Sequence, residues 1–199
     1  MIADREAVRA AAATYDTIPS LVGQGRFRPV RATLTPADSG VIVAFEGTID
    51  RLGWELDFDA LIKFQPATHD LGHAGFMDGA EAVIDDLADQ VGARDSYLVG
   101  HSLGAALALE TAGLLAARGN PPRKVFLFAP PRVFLLRLPD VLKDVSIAAW
   151  WYGNDPVPAV PPGWFQVDCQ FVGKPMWPPR AAHHITNYLN AVTGTAIAA

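Results

Sequence analysis

Cysteine is almost absent from this sequence. Cys169 is the single one in 199 residues, so no intrachain disulfide can form and a zinc site built on several thiolates is excluded. Stability then rests on a buried core and needs no oxidising compartment. Charge is sparse as well: 19% of the residues are Asp, Glu, Lys or Arg, and they sum to −5. Such a chain has no basic footprint for nucleic acid or an anionic membrane. Long apolar runs are missing, since no stretch approaches the roughly 20 residues of a membrane span. Asp4, Arg5, Glu6 and Arg9 interrupt the N-terminus and leave no apolar segment of the kind a secretory signal needs. The expectation is therefore a protein without a signal peptide, cytoplasmic by default.

What is present is hydrophobic material, half of all residues. That is enough to build a sizeable core, and the length fits one domain over residues 1–199. Helical spacing predicts a helix from about Asp4 to Thr17. "RPVRATLT" and "GVIVAFEG" read as strands joined by the turn "PADSG". In "WELDFDALIKF", Leu56, Phe58, Ala60, Ile62 and Phe64 alternate with mostly polar neighbours, which predicts a strand with one wet face. "GFMDGAEAVIDDLADQV" has helical period, with Phe76, Ala80, Val83, Ile84, Leu87 and Val91 on one side. "SYLVG", "KVFLFA" and "VSIAAWWY" look like buried strands, and "HITNYLNAV" like a closing helix. Antiparallel-looking strands come first and strand–helix alternation follows. The order predicts an α/β sheet, mostly parallel in its second half and flanked by helices. Prolines cluster late, from Pro156 to Pro179, and predict loops there.

The strand–helix junction at Ser96–Leu115 carries Gly100-His101-Ser102-Leu103-Gly104. Glycines two residues on either side let the backbone turn tightly and pack helix against strand. The serine oxygen then stands at the sheet edge, beside the N–H groups of a helix N-terminus. A nucleophile needs that presentation, because a hydroxyl must reach a base without crowding. The bland alternative is a serine that merely caps the helix. A carboxylate and then a histidine should follow in the chain. Asp155, in "YGNDPVPAVPP", falls just past a strand, where open α/β sheets bind ligands. His183 and His184 are the histidines after it. Leu103 N–H would be one donor to an oxyanion, and the Gly47–Thr48 segment after an apolar strand would supply the second.

At this point the chain resembles the class 3 lipases of the α/β-hydrolase fold. "VIVAFEGT" is similar to that family's strand and oxyanion segment, and Trp54 follows at the spacing of its tryptophan. "GHAGF", "VGHSLGAALAL", "NDPVPAVPP" and "HHITNYL" match further segments in the right order, from about Val41 to Ala191. The resemblance implies Ser102 as nucleophile, Asp155 as orienting carboxylate, and Thr48 and Leu103 as the oxyanion hole. The family's spacing from histidine to tyrosine, here Tyr188, selects His183 over His184. Glu46 departs from the family's usual arginine, so its carboxylate is expected to point away from the oxyanion segment or to be paired. The shortened chain between Asp155 and His183 implies a compact core with little or no lid, with a short flap around Thr48–Phe58 at most.

The function implied is hydrolysis of an acyl ester or lipid through an acyl-enzyme, with no cofactor, no metal and no nucleic-acid partner. An acyltransferase using the same triad, or an inactive hydrolase-fold binding domain, are the rival readings. His69 and His73 stand four apart, but Gly72 and Gly75 oppose a helix there, so His73 reads as structural, not as a metal ligand. Trp54 and Trp164 lie where they could border the cleft, as substrate-binding residues or as contacts with a lipid interface.

Overall fold

The computed structural model describes residues 2–25, 29–47 and 61–195. The chain begins with helix α1 (Asp4–Ala13), then strands β1 (Leu21–Gln24), β2 (Pro29–Ala37) and β3 (Gly40–Phe45). A hairpin of β4 (Ile62–Gln65) and β5 (Asp70–His73) leads into helices α2 (Ala74–Glu81) and α3 (Ile84–Val91). β6 (Ser96–His101), α4 (Leu103–Ala117), β7 (Lys124–Phe128), β8 (Ser146–Tyr152), β9 (Cys169–Val172) and α5 (Ile185–Thr193) complete the order.

Seven of these strands form one sheet in the order β1-β2-β3-β6-β7-β8-β9. Its β1, β2 and β3 run antiparallel, while β3, β6, β7, β8 and β9 are parallel neighbours. Period two sorts the side chains between two cores. Val43, Phe45, Leu98, Val125 and Leu127 face α2, α3 and α4. Ile42, Ala44, Tyr97, Val99, Phe126 and Phe128 face α1 and α5. Both faces are covered, which is why the parallel strands are continuous apolar runs. The helix after β6 is apolar on every side apart from Glu110 and Thr111 and is buried from Gly104 to Leu115, as a helix sunk in the core must be. Each of its buried leucines contributes roughly 1.5–3 kcal/mol by leaving water.

Three expectations change. The period-3.6 segment is not one helix: it breaks at Ala82–Val83 between α2 and α3, although every apolar position predicted for its buried side is buried. β4 reverses its predicted faces. Ile62 and Phe64 are 54% and 52% exposed, while Gln65 is buried. The hairpin lies outside the main sheet and is tied to α2 through its polar side chains: Lys63 Nζ donates to Asp78 and Glu81, both at 2.7 Å, and Gln65 Nε2 donates to Glu81 at 2.7 Å. Its apolar alternation therefore faces outward. The first half of that predicted strand and the flap around Thr48–Phe58 lie outside the described residues. β1, β5 and β9 are strands that the pattern did not predict.

Candidate active site

Ser102 sits between β6 and α4 with φ 59° and ψ −125°, a backbone conformation that L-residues rarely adopt and that concentrates at functional sites. The neighbouring glycines permit it. A Cβ on Gly100 would overlap the Gly104 carbonyl, and one on Gly104 would overlap the Phe45 carbonyl on β3. The turn is also tied down by the Ser102 N–H, which donates to the Phe128 carbonyl at 2.9 Å. The serine side chain makes no capping bond to the helix. Its Oγ lies 2.9 Å from His183 Nε2.

His183 Nδ1 lies 2.9 Å from Asp155 Oδ2, so hydroxyl, imidazole and carboxyl form one hydrogen-bonded row. His184, the neighbouring candidate, instead stands at the N-cap of α5. Asp155 follows β8, and its carboxyl is fully buried. Its Oδ1 accepts from the Val157 N–H at 2.9 Å, and its Oδ2 accepts from the Tyr188 hydroxyl at 2.6 Å. Trp151 Nε1 donates to the Asp155 main-chain carbonyl at 2.8 Å. Buried carboxylates require such saturation, since an unpartnered one is costly. Tyr188 in turn accepts from the Tyr152 N–H at 3.0 Å. Burial, followed by the Asp155 charge, pushes the Tyr188 phenol far up, so it stays a neutral donor. The sequence used Tyr188 only as a spacing mark. Its contact with the carboxyl was not anticipated, though a tyrosine on the apolar face of the last helix was the available signal.

Leu103 is the first residue of α4, and the first N–H groups of a helix have no intrahelical partner. Thr48 and Trp54 lie outside the described residues. Gly47, just ahead of Thr48, is tightly held: a Cβ there would overlap the Tyr15 hydroxyl and sit 2.9 Å from the His101 carbonyl. Glu46 is paired, with Arg31 Nη1 3.8 Å from its Oε1. Trp164 is half-buried, its ring centroid 6.3 Å from that of His73. His73 Nδ1 accepts from the Gly75 N–H at 3.2 Å as the N-cap of α2, and its ring stacks on Phe76. His69 is an exposed turn residue with φ 53°. Among the described residues no group of three His, Cys, Asp or Glu is placed to hold a metal ion, and no helix is long and apolar enough to cross a membrane.

A serine on a strained strand–helix turn, aligned with a histidine and a buried carboxyl at the sheet's C-terminal edge, is the arrangement of α/β-hydrolase enzymes. Residues 42–165 match the family described as Lipase (class 3), and the chain belongs to that family. Among curated proteins it is similar to the secreted mono- and diacylglycerol lipase A of Penicillium cyclopium and of Penicillium camembertii. Each is 32% identical over 134 residues, which cover 62% of this chain and 44% of the relative. The chain thus spans less than half the length of these relatives. Among solved structures it resembles the Rhizomucor miehei triacylglyceride lipase, with TM-score 0.60 and 18% identity over 85% of this chain and 76% of that one. A fungal lipase described for an unusual buried polar cluster gives TM-score 0.70 and 23% identity over 85% and 78%. The structural likenesses concern the fold. The cytoplasmic expectation is corrected: both curated relatives are secreted proteins, which points away from that compartment. The interrupted N-terminus does not outweigh this finding.

Proposed function

We propose that the protein is a carboxylic ester hydrolase that cleaves acyl esters of the acylglycerol type through an acyl-enzyme. The observation that carries this reading is the Ser102–His183–Asp155 row, with 2.9 Å at each link. Ser102 Oγ attacks the ester carbonyl while His183 Nε2 takes its proton. Asp155 accepts from His183 Nδ1–H, fixes the tautomer and stabilises the imidazolium. Tyr188 and the Val157 N–H hold that carboxylate in place. Leu103 N–H and Thr48 stabilise the tetrahedral oxyanion. Its collapse breaks the ester bond, and the alcohol leaves with the proton from His183. Water, deprotonated by the same nitrogen, then cleaves the acyl-serine to a carboxylic acid and free Ser102. Trp54 and Trp164 border the acyl site in this reading.

The names of the curated relatives support glycerol esters as the substrate class. The test is hydrolysis of nitrophenyl esters and of mono- and diacylglycerols of increasing acyl length by the wild type and Ser102→Ala. The wild type should release fatty acid from the glycerol esters. The variant should lose roughly 10⁵–10⁶-fold in kcat with an unchanged circular-dichroism spectrum. A variant that keeps wild-type turnover would exclude Ser102 as nucleophile.

A further inference from the structure

His101 is the last residue of β6 and only 4% exposed. Both of its ring nitrogens are engaged. Nε2 lies 2.9 Å from the main-chain carbonyl oxygen of His183, and Nδ1 lies 2.7 Å from the Tyr15 hydroxyl. A carbonyl can only accept, so Nε2 carries the hydrogen. Nδ1 is then an acceptor, and the tyrosine donates to it. The carbonyl thereby selects one tautomer, and the tyrosine hydroxyl, able to donate or accept, completes it.

The groups that face this ring come from several elements. Tyr15 follows α1. His183 and His184 lie ahead of α5, the His183 ring centroid being 4.8 Å away. Tyr188, on α5, is 5.7 Å away. Burial, then the positive charge available to His183, holds His101 well below the ordinary histidine range. A neutral ring beside the base does not oppose formation of an imidazolium there. The tyrosine has a second contact, because its hydroxyl packs against Gly47, the residue ahead of Thr48. Neither Tyr15 nor His183 falls within the matched residues 42–165.

We propose that Tyr15 and His101 are positioning residues: His101, as the Nε2–H tautomer with Tyr15 on its Nδ1, anchors the main chain of His183 so that its ring stays in reach of Ser102, and the same tyrosine sets the spacing to Gly47. The proposal rests on the reading of His183 as the base. It joins three parts of the chain, at Tyr15, His101 and His183. Displacing a reacting group by about 1 Å can cost on the order of 100-fold in rate, so a support of this kind controls kcat.

The test compares His101→Gln, His101→Asn and Tyr15→Phe on a soluble nitrophenyl ester. Glutamine places an amide nitrogen at the depth of Nε2 and can still donate to the His183 carbonyl. Asparagine reaches only the depth of Nδ1. His101→Asn should lose roughly 100-fold in kcat with KM nearly unchanged, the pattern of misplaced chemistry. His101→Gln should recover to within about tenfold of wild type, and Tyr15→Phe should lose about five- to tenfold, the worth of one neutral hydrogen bond. Nitrogen spectra of ¹⁵N-histidine protein should show His101 with protonated Nε2, bare Nδ1 and no titration across the ordinary histidine range. An Nδ1–H tautomer, titration within that range, equal losses in the two His101 variants, or a loss confined to KM would overturn the proposal. The spectra of wild-type protein decide it even where a variant fails to fold. A silent Ser102→Ala beside a fully active His101→Asn removes the positioning role alone. An active Ser102→Ala removes the reading of the base and the proposal with it.

Discussion

Two buried polar side chains belong to the same turn-and-helix unit, and their surroundings differ sharply. Ser102, at the head of α4, is linked to His183, and Asp155 beyond it accepts three hydrogen bonds. Glu110, two turns further along α4, is 1% exposed, and its Oε1 has no hydrogen-bond partner among the described residues. A Cβ on Gly72 of β5 would lie 3.3 Å from that oxygen, so the hairpin backbone closes over it. Burial, then the nearby Asp70 charge, drives the Glu110 carboxyl well above its ordinary range. One region stabilises buried polarity with donors. The other does so by keeping a proton. The first arrangement holds three side chains in a fixed row, whereas the second makes stability depend on pH.

The comparison is broken most severely at Asp155. Asp155→Asn keeps the shape but presents an amide where the imidazole N–H needs an acceptor. We expect kcat to fall about 10⁴-fold in steady-state ester hydrolysis. Tyr188→Phe removes one of the three donors and leaves two. The expected loss is about tenfold in kcat, with about 1–2 kcal/mol of stability lost in urea titration. A stability loss without a change in kcat would show that this tyrosine packs but does not position.

Glu110→Gln sharpens the contrast, because glutamine is neutral at every pH. The folded state of the wild type binds this proton more tightly than the unfolded state does, so the unfolded carboxyl ionises first. Stability is therefore unaffected below the unfolded pKa of about 4.3 and falls as pH rises from there through the raised folded value. The variant should match the wild type near pH 4 and be the more stable of the two at pH 7 to 9 in thermal unfolding. A gap between them that is constant with pH would contradict the account. Arg31→Ala should have the smallest effect. The pair with Glu46 is 3.8 Å long and the Arg31 side chain is 47% exposed, so its removal should change stability by less than about 1 kcal/mol.

The sequence made the Ser102–His183–Asp155 row legible first at its strand–helix turn. Gly100 is forced by the Gly104 carbonyl and Gly104 by the Phe45 carbonyl on the neighbouring strand β3, and both positions flank Ser102 at the fixed spacing of a strand–helix turn, which leaves a motif. Asp155 and His183 were legible through chain order and, for the choice between two histidines, through the family's spacing to Tyr188. The parallel core strands were legible because burial on both faces demands unbroken apolar runs. The short strands were not, since four residues such as Leu21–Gln24 carry too little pattern. The break between α2 and α3 involves neither glycine nor proline, so nothing local marks it. β4 was misread because an isolated hairpin anchored by lysine and glutamine can point its apolar residues outward. Tyr15 was invisible in its role, being 86 positions from His101. Glu110 did leave a signal, as the lone charged residue in the apolar run from Leu103 to Ala117.

The central claim is that Ser102 is the activated nucleophile of this row. Labelling with a serine-directed alkyl phosphonate, followed by intact mass and peptide mapping, tests it most directly. The account predicts a single covalent adduct on Ser102, lost in Ser102→Ala and strongly slowed in His183→Ala. No adduct on the folded wild-type protein, or one carried by another residue, would contradict it.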